Sequence, residues 1–264
     1  MSRPCVLVFA GLDPSGGAGV QADIEAINAM SAHALPVITT LTVQDNDRVF
    51  AVHPVDAGIL REQVGVLCKK FRIEVIKIGI TGSKHNVAVI IETIKQLRQQ
   101  KPDLPVVLDP VLASGHGDAL AREDVVGMIL PLQSQATLIT PNLPEAVRLC
   151  AGETSLAAQV VQLLEYTPHV LIKGGHGEDE KITNTWFSRT HQQSWQWPRL
   201  SGEFHGSGCT LASAIAAALA TRQDMQSALS LAQFYVNASL KNAYSIAEGQ
   251  RIPARTIHHL QEVS

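Results

Sequence analysis

The chain has 264 residues, of which 45% are hydrophobic, 17% charged and 5% aromatic, with a formal net charge of −3. That composition excludes a disordered chain, which would be short of apolar residues and rich in charge. Neither sign of charge dominates and aromatics are scarce, so no nucleic-acid groove, base-stacking platform or anionic membrane surface is expected as a partner. The length suits one large α/β domain over residues 1–264.

In chain order, Cys5 to Ala10 reads as a first strand and Val20 to Ala32 as a helix. Val37 to Val43 and Arg48 to His53 can pair as strands across Asp45-Asn-Asp47. Asp56 can cap a helix running to Phe71. Four short apolar runs then follow at the spacing of βαβ units: Val75 to Ile78, Pro105 to Leu108, Thr137 to Thr140 and His169 to Ile172. Between them lie expected helices at Asn86 to Gln100, Arg122 to Leu130, Leu143 to Cys150 and Ser155 to Leu164. Ile182 to Ser188 and Ser194 to Trp197 suggest a hairpin. Gly208 to Ala220 is an Ala-rich, almost uncharged and hence buried helix, and Met225 to Ala247 is a long amphipathic one. Strand runs apolar on both faces predict a mostly parallel sheet covered by helices on both sides, an α/β architecture.

No secretory signal or membrane span is expected from the apolar runs. Cys5, Cys68, Cys150 and Cys209 are scattered without a CxxC pair, which fits a cytoplasmic protein with reduced thiols and no zinc site.

Ligands of open parallel sheets gather beyond the carboxyl ends of the strands. There the chain carries Gly11-Leu-Asp-Pro-Ser-Gly-Gly-Ala-Gly19, whose spacing fits neither the dinucleotide fingerprint nor the lysine-ended phosphate loop. Taken by itself it is equally a strand-to-helix turn. Asp23, one turn into the following helix, reads as a residue facing back to this loop or as a solvated first-turn carboxylate. A second loop, His205-Gly-Ser-Gly-Cys-Thr210, opens the buried helix, where free N–H groups and the helix dipole favour an anion. The plainer reading is a Gly-rich helix entry capped by Ser207. Cys209 in that first turn has the position of a thiol with a lowered pKa, able to act as base or nucleophile, or else of a small packed hydrophobe. Lys173-Gly-Gly-His176, Asp109-Pro110 and Asn142-Leu-Pro-Glu145 also follow core strands. A lysine for phosphates and carboxylates for Mg²⁺ beside two glycine loops point to phosphoryl transfer.

These segments carry a family resemblance. Ala10 to Asp23, Val37 to Gln44, His53 to Val55, Val75 to Gly79, Val106 to Val111, Ile139 to Ala146, Lys173 to His176 and His205 to Leu211 closely resemble the hydroxymethylpyrimidine/phosphomethylpyrimidine kinases of thiamine biosynthesis, ribokinase-like enzymes with a three-layer α/β/α fold. The resemblance implies that ATP phosphorylates the hydroxymethyl oxygen of 4-amino-5-hydroxymethyl-2-methylpyrimidine and then the monophosphate. It implies Mg²⁺, with K⁺ as a further ion, and a homodimer. Carried over by position, Gln44 and Asp23 read the polar edge of the pyrimidine, and Gly11, Val107 and Ile80 line its pocket. Gly206, Ser207 and Gly208 form the anion hole. Cys209 takes the place of the aspartate base of the wider family. Lys173, Gly175 and Asn142 meet ATP, and Asp109 and Glu145 serve the magnesium and its waters.

The chain departs from the family pattern at Ile80, where Met is usual, and at Gly115, where a lysine is usual. The Gly- and His-rich ending is reduced to Gly249-Gln-Arg-Ile-Pro253. These differences bear on the second phosphorylation. The rival readings are a pyridoxal-type kinase and a non-catalytic pyrimidine sensor. Gln44 and the opening segment favour the pyrimidine, and Cys209, Lys173 and Asp109 favour a catalyst.

Overall fold

The computed structural model describes residues 2–113, 118, 124–175 and 180–256. The strands are β1 (Cys5–Leu12), β2 (His33–Gln44), β3 (Val49–Pro54), β4 (Ile73–Ile78), β5 (Val106–Leu108), β6 (Leu138–Ile139), β7 (His169–Ile172), β8 (Lys181–Ser188) and β9 (Gln192–Pro198). They form a nine-stranded sheet in the order β3-β2-β1-β4-β5-β6-β7-β8-β9. The strands from β2 to β7 pair in parallel, while β3 joins β2, β8 joins β7 and β9 joins β8 antiparallel. Both expected hairpins are therefore present.

The helices are α1 (Gly19–Ala29), α2 (Ala57–Lys70), α3 (Lys84–Gln100), α4 (Val125–Gln133), α5 (Leu143–Leu149), α6 (Leu156–Tyr166), α7 (Ser207–Ala220) and α8 (Met225–Lys241). Side chains alternate across each strand, and the two faces build separate cores. Leu7, Phe9, Ile76, Ile78, Val106, Leu108 and Ile139 pack under α2 to α6. Val6, Val8, Ala10, Val75, Val107 and Leu138 pack under α1, α7 and α8. The result is the three-layer α/β/α arrangement expected.

The boundaries differ from expectation for local reasons. Helix α1 stops at Ala29 because Ser31 takes a left-handed φ of 65°, and β2 starts at once at His33. Helix α8 stops at Lys241, six residues short of the amphipathic pattern, as the chain turns at Asn242 to form a bridge between Tyr244 and Ile252. Helix α7 is entered from Gly206 at φ 75°, so Ser207 is not its cap. Asp56 does cap α2, accepting from the Gly58 and Ile59 amides. The expected start of the helix at Arg122, and Gly115 and His176, lie outside the described residues.

Strand order reverses between β1 and β4, which are neighbours although β2 and β3 intervene in sequence. Such a switch point opens a crevice at the carboxyl ends of the two strands, because their connections leave in opposite directions. The Gly11–Gly19 loop leaves β1 there, and the strand-end segments carrying Ile80, Asp109, Asn142 and Lys173 lie along the same edge.

Candidate active site

The first loop is held by one carboxylate. Asp13 accepts from the Ser15 amide at 2.8 Å, the Ser15 hydroxyl at 2.9 Å and the Ala18 amide at 2.7 Å. It also hydrogen-bonds the Gln44 side chain, and His205 Nε2 reaches it at 2.8 Å. Burial opposes the charge on Asp13, yet the hydrogen bonds from His205, Gln44 and Ser15 hold its carboxyl far below the usual range. The end of β2, the first loop and the His205 loop are thus joined at one anion. Gly206 packs so closely on the first loop that a Cβ there would lie 2.2 Å from the Gly17 carbonyl oxygen. Only glycine tolerates both that approach and the left-handed backbone.

The turn from Gly206 into α7 leaves the first amides of the helix without helical partners, the arrangement that receives anions. Gly208 is bounded on one side by charge: a Cβ there would be 3.2 Å from Lys173 Nζ and 3.7 Å from Asp109 Oδ2. Lys173 donates to Asp109 Oδ1 at 2.9 Å and lies 4.0 Å from Glu145 Oε2. Thr140 also donates to Asp109 Oδ1, at 3.2 Å. Burial would lower Lys173, but the Asp109 and Glu145 carboxylates outweigh it and hold the ammonium up at about 12. Burial, opposed by Lys173 and aided by the charge on Asp109, pushes Glu145 up to about 7. Asn142 and Glu145 form a reciprocal capping box on α5, each side chain accepting from the other's amide at 2.8 Å.

Two ion pairs act on Cys209. Lys77 donates to both oxygens of Asp23, at 2.7 and 2.9 Å, with neither side chain exposed. Asp109 and Lys173 form the second pair. The Gly19 amide favours the thiolate slightly. Burial, with Lys77 opposing and Asp23 and Asp109 adding to the effect, pushes the thiol up to about 11. The helix start therefore does not lower this thiol as expected. Desolvation of the half-buried thiol outweighs the dipole and favours its protonated form.

The family profile described as phosphomethylpyrimidine kinase matches residues 13–254. The chain belongs to this family. A hydroxymethylpyrimidine/phosphomethylpyrimidine kinase of Rhizobium meliloti (strain 1021) is 33% identical over 261 residues, covering 96% of this chain and 96% of that protein. The phosphomethylpyrimidine kinase of Clostridium difficile 630 superposes with a TM-score of 0.76 at 27% identity, over 90% of this chain and 100% of that one. An ADP complex of Bacillus subtilis pyridoxal kinase superposes with a TM-score of 0.85, over 97% of this chain and 98% of that one, and at 23% identity the likeness shows a shared fold. The chain is a kinase on the ribokinase-like scaffold.

Most of the site residues expected from the sequence converge at this edge. Gly208 and Cys209 lie beside Lys173 and Asp109, Gly206 and Ser207 lead into the same helix start, Lys173 is 4.0 Å from Glu145, and Asn142 is bridged to Lys173 in the strand ladder. Gly175 is at the exposed end of the segment, its carbonyl accepting from Arg199 at 2.9 Å. Gly11 is buried beside Ile80, whose terminal methyl would be 3.6 Å from a Cβ on Gly11. Gln44 is half-buried and lies near Asp13.

Two expectations are corrected. Asp23 does not read a ligand edge: its oxygens are taken by Lys77 and, at 2.6 Å, by the Ser213 hydroxyl, and it has no exposed surface. Val107 does not line a pocket either, because strand alternation turns it into the core under α7, fully buried.

Lys77, His205 and Asp13 acquire roles that the motifs did not assign. Lys77 had a signal, a lysine inside the apolar run Val75 to Ile78, which must find a buried counter-charge.

Proposed function

We propose that this kinase, working as one ribokinase-like domain, transfers the γ-phosphoryl group of ATP to the hydroxymethyl oxygen of 4-amino-5-hydroxymethyl-2-methylpyrimidine, and then to the monophosphate, in thiamine biosynthesis. The observation that carries the reading is the docking of the His205–Gly208 loop on the Gly11–Gly19 loop at the switch point, with Lys173 beside Gly208. It sets unpaired amides and a cation around one spot, which suits the charge that spreads over a transferring phosphoryl group.

Gln44 supplies the pyrimidine contact. Its side chain carries both a donor and an acceptor and lies near Asp13, whose charge it favours. An aminopyrimidine edge needs such a pair. Ile80, packed beside the buried Gly11, forms the apolar wall next to it. With its thiol protonated, Cys209 acts as a neutral positioning group near the acceptor hydroxyl. Phosphoryl transfer through a loose transition state needs little from a base, so a high thiol pKa is compatible with this role.

Asp109 and Glu145 fit Mg²⁺ as it accompanies ATP, because that ion is held by one or two carboxylates together with phosphates and waters. Among the described residues no group of three or more His, Cys, Asp or Glu forms a cage of its own. When bound, the ion neutralises phosphate charge. Asp109 and Glu145 would hold the ion, Lys173 would face the nucleotide phosphates, and Asn142 and Gly175 lie along the same side. K⁺ and a homodimer rest on the family resemblance alone, and a cytoplasmic location rests on the four scattered cysteines without a CxxC pair. Among the described residues no helix is long and apolar enough to cross a membrane.

The test is ATP consumption with the pyrimidine alcohol, its monophosphate and pyridoxal as separate acceptors. ADP formed with the first two supports the reading. Turnover of pyridoxal alone, or of none, overturns it.

A further inference from the structure

The segment that follows α8 crosses the site as a strap. Tyr244 bridges Ile252, and Arg251 pairs with Phe204 on the approach to the His205 loop. The His205 amide donates to the Arg251 carbonyl at 2.9 Å. Asn46, in the turn after Gln44, donates to the carbonyls of Glu248 and Gln250 at 3.0 and 3.1 Å. The strap ends at Arg255, the largest fully buried side chain among those described. Its own carbonyl is anchored by the Tyr235 hydroxyl at 2.8 Å.

The guanidinium reaches both glycine loops. It donates to the Gly17 carbonyl, to the His205 carbonyl at 3.4 Å, and through Nε to the Thr210 hydroxyl at 2.8 Å. Thr210 in turn bonds the Gly206 carbonyl, from its amide at 2.9 Å and its hydroxyl at 2.7 Å. Glu25 on α1 supplies the counter-charge at 3.3 Å.

We propose that Arg255 is a positioning residue for phosphoryl transfer, clamping the Gly11–Gly19 loop to the His205–Gly208 loop and aiming the Gly206 amide. The proposal rests on the reading of these loops as the site of transfer. A peptide unit is planar and trans, so its carbonyl and the following N–H point in opposite directions. Holding the His205 carbonyl toward Arg255 therefore fixes the Gly206 N–H on the opposite side. Holding the Gly17 carbonyl fixes the Ala18 N–H likewise, and that amide is bound to Asp13. Burying a charge only for stability is inefficient, since apolar packing serves as well or better. A planar fork that reaches several acceptors at once is what guanidinium offers and ammonium does not.

The experiment compares wild type with R255A and R255K, with rates expressed per folded molecule from near-ultraviolet circular dichroism. A small misplacement of catalytic groups costs rate more than binding, so kcat for the pyrimidine alcohol is expected to fall about 10- to 100-fold in both variants. The pyrimidine Kd, measured by calorimetry, should change much less than kcat. Methylguanidinium added to R255A should restore part of the rate, which a general loss of stability would not allow. An active wild type with unchanged kcat per folded molecule in either variant overturns the role of Arg255 alone. Should R255A not fold, R255K decides, and failure of R255K to fold as well assigns Arg255 to stability and overturns the proposal. A wild type that forms no ADP with the pyrimidine overturns the functional reading, and this proposal with it.

Discussion

Lys77 of β4 and Asp23 of α1 meet at 2.7 Å with no surface of either side chain open to solvent. Burial disfavours both charges, and the Asp23 carboxylate outweighs it for Lys77, holding the ammonium above its ordinary range. Removing one partner leaves the other charge buried and uncompensated, which costs about 3–5 kcal/mol. Lys77→Met is expected to lose that much in urea denaturation, and adding Asp23→Asn should recover part of it. A single variant as stable as wild type would mean that water enters and solvates Asp23.

The protonated state of Cys209 has a kinetic signature. With the thiol pushed up to about 11, the rate of iodoacetamide labelling at Cys209 should keep rising through pH 9 without a plateau, since only the thiolate reacts. Cys209→Ser should lose kcat partially while the substrate KM changes less. A labelling plateau reached near pH 7 would show a thiolate and make Cys209 the base after all.

Glu145 gives a stability effect whose sign follows from its surroundings. In the folded chain it titrates at about 7 instead of its ordinary 4.5, owing first to burial. The folded state therefore binds more protons than the unfolded state between those values. Its contribution is complete below about pH 4.5 and is lost as pH rises through about 7. Glu145→Gln keeps an acceptor for the Asn142 amide and removes the titration. Unfolding midpoints in urea should favour the variant over wild type more at pH 8 than at pH 5. An equal difference at both pH values would refute the shift.

Gln44→Leu should leave the fold intact and weaken pyrimidine binding by about 1–3 kcal/mol, the cost of an unpaired polar group. Calorimetry reads this directly. Unchanged affinity would remove Gln44 from the pocket.

Gly206→Ala tests the junction of the loops. The new methyl would lie 2.2 Å from the Gly17 carbonyl oxygen and 2.8 Å from the Ala18 Cα, on a backbone at φ 75°. Both loops must separate to admit it. Turnover should fall by about 100-fold, accompanied by a lower thermal midpoint. A fully active variant would show that the loops need not touch for transfer.

Local pattern was enough for the elements. The short apolar runs at Cys5 to Ala10 and near Val75, Val106 and Val170 mark strands apolar on both faces, as a sheet covered on both sides requires. The glycine loops were legible because a strand followed by Gly11 to Gly19, and His205 to Gly208 before an Ala-rich run, mark tight turns into helices wherever they occur. The order of the matching segments carried the family, and with it the kinase reading. Those signals are short-range, each contained within about twenty residues.

What the tertiary structure decided is how distant residues pair. Asp23 and Lys77 are 54 positions apart, Asp13 and His205 are 192 apart, and Gly17 and Arg255 are 238 apart. Asp23 looked like a ligand-reading carboxylate at a helix start, but the lysine on the sheet beneath it took both oxygens. Val107 lies two residues before Asp109 and on the same face, but inside β5 that face is covered by α7, which left it in the core. The helix start around Cys209 suggested a low thiol pKa. Packing of α7 against the sheet leaves the thiol half-buried beside charged groups, and desolvation depends on every neighbouring element. Arg255 had no local signal at all, since an arginine near the end of a chain is ordinarily solvated. Only the path of the strap across the site brought it to the two carbonyls that it holds.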